Sequence, residues 1–274
     1  MGKKNLINKM TNFKQKYKDY TLITGASAGI GKGFAEQLAT KGLNLVLIAR
    51  RADKLSELAS NLEAKHNIKV KTLALDLLAD NAISEITNAT ENLEVGLIVL
   101  NAAVEVHGDF TNNNLQSELD LVKLNVTRPL QLAHHFGNKM KQRKRGGIIF
   151  LSSTFGHQSV PYFANYAASK AYILSLGQAL NYELKKFNVD VTVLSPGPTK
   201  TDMIASMTDV DFKKMPVTFQ EVTPVVKTAL NALGSKQAVI PGAWNNFMDI
   251  MGKFTTPRWI LTNMYGFLVA RAMK

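Results

Sequence analysis

Short apolar runs alternate with longer amphipathic stretches along most of this chain, and that alternation limits the possible folds more than any other feature. YTLIT (20–24), LNLVLIA (43–49), VKTLAL (70–75), VGLIVL (95–100), GGIIFLS (146–152), VDVTVLS (189–195) and QAVI (237–240) are rich in Val, Ile and Leu and read as strands. They are apolar almost throughout, as strands covered on both faces of a parallel sheet are. Between them, 30–41, 53–65, 80–90, 115–142, 163–187 and 221–234 carry helical patterns. Seven strands alternating with six helices predict an α/β fold, a doubly wound parallel sheet with right-handed crossovers. The 274 residues suit one domain at 19–242, a basic extension at 1–18 and an amphipathic one at 243–274.

The first strand runs directly into TGASAGIG (24–31), which opens a helix. Gly25, Gly29 and Gly31 permit a tight turn and the close backbone approach that a pyrophosphate needs. The helix start offers unpaired N–H groups and a positive dipole end to the anion. The alternative is a plain helix start, with Ser27 as N-cap and the glycines there for packing. Arg50 and Arg51 close the second strand, about twenty residues past the cradle, and no acid stands at 49–51. An acid there holds ribose hydroxyls, whereas an arginine accommodates a 2′-phosphate, so NADPH is expected over NADH. Asp53 reads as a helix cap.

Tyr166 and Lys170 stand four apart in YAASK (166–170), with Ser153 thirteen residues upstream. On a helix, i and i+4 share a face, which places the ammonium beside the phenol. A neighbouring cation favours phenolate, so a lowered tyrosine pKa is expected. A tuned tyrosine can exchange a proton with a carbonyl or alcohol oxygen. By itself this spacing is weak evidence, since helix faces carry such pairs by chance.

Cradle, arginines and the Ser–Tyr–Lys set together resemble the short-chain dehydrogenase/reductase family over about residues 19–242. TGASAGIG matches its TGxxxGxG motif, in which Ser27 and Ile30 also line the cofactor. Asp76–Leu77 resembles its adenine-contacting acid, and SPGPTKT (195–201) resembles its Pro-Gly loop, with Pro196, Gly197, Thr199 and Thr201. Asn125 in LVKLNVTRPL matches the helix Asn of its catalytic tetrad, beside Ser153, Tyr166 and Lys170. One motif departs: where the family shows Asn-Asn-Ala-Gly, this chain has Leu100–Asn101–Ala102–Ala103, keeping Asn101 and Ala102. The resemblance implies a Rossmann-type fold and NADPH-dependent hydride transfer to the carbonyl of a hydrophobic substrate, acyl-chain or steroid-like. It assigns Tyr166 the proton, Lys170 the tuning of Tyr166 and the nicotinamide ribose, Ser153 the carbonyl oxygen, and Asn125 a water leading to solvent. It also implies a homo-oligomer built on 115–142 and 163–187. A non-catalytic NADPH-binding regulator or scaffold on the same fold is the alternative.

The chain has no cysteine, which excludes disulfides, thiolate catalysis and zinc–thiolate sites. His66, His107, His134, His135 and His157 show no metal spacing and read as structural or surface residues, His157 lying near enough to Ser153 to line a pocket. Net charge is +12, much of it terminal: Lys3, Lys4, Lys9, Lys14, Lys16 and Lys18 stand against Asp19. A solvated tail and an attraction to anionic surfaces are both open readings. KMKQRKR (139–145) ends a helix and lacks the aromatics that stack on bases, so nucleic-acid binding is not expected. No signal-peptide run is seen, and WILTNMYGFLVA (259–270) is too short to span a bilayer, so a cytoplasmic protein is expected. Segment 200–220 reads as a lid. Phe247, Ile250, Met251 and Phe254, then Trp259, Leu261, Met264, Phe267 and Leu268, fall at helical spacing. They suit a cap over the cleft or a subunit contact, or peripheral contact at the inner membrane face.

Overall fold

Each apolar run forms a strand because its Val, Ile and Leu side chains have helices to pack against on both faces of one sheet. The computed structural model describes residues 13–215 and 217–273. The strands are β1 (Tyr20–Thr24), β2 (Asn44–Ala49), β3 (Val70–Ala74), β4 (Val95–Leu100), β5 (Gly146–Leu151), β6 (Val189–Leu194) and the two-residue β7 (Ala238–Val239). They pair in parallel in the order β3-β2-β1-β4-β5-β6-β7. The order reverses between β1 and β4, which opens a crevice at their carboxyl ends.

Successive side chains divide between the two faces. Ile23, Leu45, Leu47, Leu97 and Val99 pack on α1 (Gly29–Ala39), α2 (Ala52–His66) and α8 (Val222–Ala232), which supply Phe34, Leu58 and Val226. Leu22, Val46, Ile48, Ile98 and Phe150 pack on α3 (Ala82–Ala89), α5 (Arg128–Gln142) and α6 (Ala164–Lys185), which supply Ile86, Phe136 and Ile173.

The single helix expected over 115–142 is instead three pieces: α4 (Leu115–Val122), a π turn at Lys123–Thr127, and α5. Pro129 explains the break. It has no N–H for the Asn125 carbonyl, and its ring crowds that carbonyl. The turn widens, and Arg128 N–H donates to Lys123 O, five residues back.

The basic N-terminal segment is not a free tail up to residue 18. Tyr17 is 2% exposed, and its hydroxyl donates to Asp190 Oδ2 at 2.6 Å. Burial and that carboxylate push the phenol's pKa up. Lys16 pairs with Asp190 at 2.5 Å. Lys3, Lys4 and Lys9 lie outside the described residues.

After β6 the chain leaves the sheet through α7 (Asp202–Ser206) and a 3-10 turn (Phe212–Lys214). After β7 come α9 (Ala243–Thr255) and α10 (Arg258–Ala272), separated at Pro257. The end of α10 grips the excursion. Asp211 N–H donates to Ala272 O at 2.8 Å, and Val210 bridges Met273. Val269 and Ala272 share an apolar cluster with Val160, Phe163, Met207, Val210 and Met215. Leu261 is buried as well, while Trp259, Met264 and Phe267 face outward. The side chains of Ile250, Met251 and Phe254 lie outside the described set.

Candidate functional site

The turn from β1 into α1 is shaped for an anion. Gly25 and Gly29 have φ of +67° and +52°, in the left-handed region that favours glycine. The N-cap of α1 is Ala28 and no side chain caps it, so Ser27 leaves the first N–H groups of the helix to a ligand. Gly31 lies tight behind the turn, where a Cβ would sit 2.2 Å from Gly25 O. Asn101 locks the same turn from β4. Its Nδ2 donates to Thr24 O at 2.9 Å and to Gly25 O at 3.2 Å. Thr24 Oγ1 accepts from the Asn101 and Ala102 N–H groups, each at 3.0 Å. The departure from Asn-Asn-Ala-Gly thus spares the residue that holds the cradle.

Arg51 reaches back over this turn. Its Nη2 donates to Ser27 Oγ at 3.1 Å, and its Nη1 stands 3.4 Å from Asp202 Oδ2. Arg51, rather than Asp53, is the N-cap of α2, and Asp53 sits in the first turn, where its charge favours the helix dipole. The loop after β3 is pinned by a residue that sequence reading missed. Arg128 is 4% exposed and donates to Leu77 O and Ala79 O, each at 2.6 Å. Its clue was the Thr-Arg-Pro at 127–129, where Pro129 marks a break and turns the preceding side chain to a new task.

At the far end of the crevice, β5 delivers Ser153 and α6 delivers Tyr166 and Lys170. Lys170 is 3% exposed, its Nζ donates to Leu151 O at 3.2 Å and lies 5.5 Å from the Tyr166 ring centroid. The expected lowering of the Tyr166 pKa is not what the geometry gives. Burial dominates and pushes it up to about 12, a hydrogen bond with Ser153 acts the other way, and the Glu105 charge adds to the rise. Burial also pulls Lys170 down to about 8.

Asn125 is 1% exposed and serves as a clamp. Its Nδ2 donates to Val104 O at 2.8 Å and to Ser169 Oγ at 3.2 Å, and its Oδ1 accepts from Val104 N–H at 3.0 Å. The widened turn that Pro129 imposes places it there, tying the loop after β4 to α6.

One continuous cavity of about 630 Å³ joins these parts. Gly25, Ser27, Gly29, Ile30, Arg50, Arg51, Asp76, Leu77, Asn101, Ala102, Ser153, Tyr166, Lys170, Pro196, Gly197, Thr199 and Thr201 all line it. Gly31 and Asn125 stand behind its wall. Past Tyr166 the lining turns apolar, with Phe155, Phe163, Met203, Ile204, Met207, Phe212 and Met215. The expected lid at 200–220 supplies the last five of these. His157 does not line the cavity; it pairs with Asp249 of α9 at 2.7 Å. His107 is also more than a surface residue, bridging Glu105 and Asp209. Among the described residues no cluster of three metal-ligating side chains occurs, and no helix is long and apolar enough to cross a membrane.

Fold and site define a doubly wound α/β enzyme with its cleft at the switch point of the sheet. The model of the short chain dehydrogenase family matches residues 19–211, and the chain belongs to this family of oxidoreductases. It is 31% identical over 234 residues to a 7beta-hydroxysteroid dehydrogenase of Clostridium sardiniense, covering 85% of this chain and 89% of that one. It is 33% identical over 278 residues to a very-long-chain 3-oxoacyl-CoA reductase of Mycosarcoma maydis, covering 96% and 79%. A solved short-chain dehydrogenase of Sphingobium yanoikuyae in complex with NADPH superposes with a TM-score of 0.76 at 27% identity, covering 86% and 93%.

Proposed function

We propose that this oxidoreductase uses NADPH to interconvert a ketone and a secondary alcohol on a bulky hydrophobic substrate, acyl-chain or steroid-like. The observation that carries the reading is that Ser153, Tyr166 and Lys170 line the cavity together, where its apolar end meets the anion cradle. The residues present fit a dinucleotide. The uncapped start of α1 faces the cavity, Gly31 lets the turn close tightly, and Asp76 and Leu77 line the side where an adenine would lie. Arg50 and Arg51 line the cavity, and no acid stands at 49–51 to hold ribose hydroxyls, which favours the 2′-phosphate of NADPH. When bound, the cofactor supplies or accepts the hydride.

The protein's own groups handle the oxygen and its proton. Ser153 hydrogen-bonds the substrate oxygen and stabilises charge developing there. Tyr166, held protonated by burial, donates its proton to that oxygen in the reducing direction. The Lys170 ammonium favours the phenolate left behind and would hold the nicotinamide ribose. Asn125 keeps the Val104 loop and α6 in register around them.

The test is NADPH oxidation over acyl-chain and steroid ketones of increasing size. Tyr166→Phe is expected to lower kcat by about 10²- to 10⁴-fold with NADPH affinity within about twofold. Tight NADPH binding with no turnover of any ketone, and no effect of Tyr166→Phe, would point to a non-catalytic NADPH-binding protein instead.

The proposal includes a homo-oligomer and a peripheral membrane contact. Leu115, Leu119 and Leu130 of α4 and α5, and Tyr172 and Tyr182 of α6, leave apolar surface exposed, and sedimentation velocity reads the assembly. Trp244, Phe247, Trp259 and Phe267 do the same on α9 and α10. Flotation with anionic vesicles, full chain against a chain ending at 242, reads the membrane contact.

A further inference from the structure

We propose that His107 is a positioning residue, an imidazolium latch that ties the substrate lid to the reacting end of the cavity. The loop after β4 carries Glu105, which lines the cavity, and His107 two residues on. His107 Nδ1 lies 2.8 Å from Glu105 Oε2, and its Nε2 lies 2.9 Å from Asp209 Oδ2. A carboxylate only accepts, and a neutral imidazole has one N–H. Both contacts can be hydrogen bonds at once only if both ring nitrogens donate, which makes the ring an imidazolium between two carboxylates.

The surroundings hold the ring in that bridge. It stacks on Phe163 at 5.4 Å, and its side chain is 13% exposed. Gly108 N–H anchors the loop by donating to Tyr162 O at 2.8 Å. Asp209 lies in the lid between Met207 and Met215, which line the cavity's apolar end. The groups facing the ring are Glu105 from its own loop, Asp209 from the lid and the uncharged Phe163 from the start of α6. Burial opposes the positive charge, but hydrogen bonds and charge from the two carboxylates outweigh it and raise the His107 pKa above its ordinary value. By linkage, the latch is complete below that ordinary value and is lost as pH rises through the folded one.

Deprotonation leaves one N–H for two acceptors. The Glu105 side chain is 11% exposed and that of Asp209 is 57% exposed, so water replaces the contact to Asp209 more readily. The N–H stays with Glu105, and the lid lets go. Alkaline pH therefore loosens the wall of the pocket, an effect on substrate binding more than on proton transfer.

The latch rests on reading this cavity as the ketone site, so one arm of its test needs no substrate. Hydrogen exchange of 207–215, corrected for intrinsic rates, is followed from roughly pH 6 to pH 9, a range that brackets histidine titration. In the native chain protection is expected to fall in one step centred above the ordinary histidine pKa. In Asp209→Asn and His107→Gln the segment is expected to be weakly protected throughout, with no step. In the second arm, Asp209→Asn raises KM for the best ketone about three- to fivefold near pH 6.5 with kcat within twofold, the size of one half-exposed pair. The native KM is expected to climb to the variant's as pH rises. Identical exchange profiles in the native chain and both variants overturn the latch, whatever the activity. A stepped profile in a protein that turns over no ketone leaves the latch standing and removes the functional reading.

Discussion

Gly31→Ala is the most direct test of how the cradle works. The new Cβ would lie 2.2 Å from Gly25 O, 2.6 Å from Asn101 Nδ2 and 2.8 Å from Gly25 C, against the 3.0 Å that real Cβ atoms keep. The main obstacle is backbone, so no rotamer relieves it. Asn101 cannot swing aside without giving up its bonds to Thr24 O and Gly25 O. The turn must move by close to an ångström, and overpacking of this kind costs about 1–3 kcal/mol. If that strain is released by opening the turn, NADPH binding weakens roughly 5- to 150-fold. Titration of NADPH fluorescence measures it, with thermal melts showing how much strain appears as lost stability instead. Gly137→Ala is the control. It lies inside α5, a Cβ there meets only Ile148 Cδ1 at 3.8 Å, and the helix gains up to about 1 kcal/mol. Unchanged NADPH affinity and an unchanged melting temperature for Gly31→Ala would refute the close packing of the turn.

Lys170→Met is expected to abolish turnover yet stabilise the ligand-free protein near pH 7. Burial pulls the Lys170 pKa from its ordinary 10.5 to about 8, a penalty on the order of 3 kcal/mol for carrying the charge. The carbonyl of Leu151, left without its donor, returns part of that gain. Between those two pH values the unfolded chain binds the extra proton, so the native protein gains stability as pH rises and the variant's advantage shrinks. Melts from about pH 7 to pH 10 show this, and a native protein more stable than the variant at pH 7 contradicts it. Arg50→Ala and Arg51→Ala together are expected to cut the NADPH-over-NADH ratio of kcat/KM by about tenfold or more, since on the proposed reading each arginine would offer a charge-assisted contact to the 2′-phosphate. An unchanged ratio assigns the preference elsewhere.

The features legible in the sequence were local ones. Strand and helix positions follow from hydrophobic periodicity, which is set by the neighbours along the chain. The cradle was legible because TGASAGIG needs its glycines for backbone reasons that hold wherever such a turn forms. Tyr166 and Lys170 were legible because a helix places i and i+4 together. Pro129 was visible too, and its conflict with the carbonyl of Asn125 marks the break that a long apolar period hid.

Whatever depends on partners distant in sequence came only with packing. Asn125 became a clamp because the widened turn brings it to Val104 and Ser169. Arg128 became a pin for the loop after β3, and His107 found a carboxylate 102 residues away in Asp209. The Tyr166 pKa shows the physical reason most clearly. Spacing alone places a cation beside the phenol and predicts a fall, whereas removal from water raises it to about 12, and burial is a property of the packed chain. Neighbours along the chain set which groups share a helix face or a turn; only the fold sets how dry those groups are and what stands opposite them.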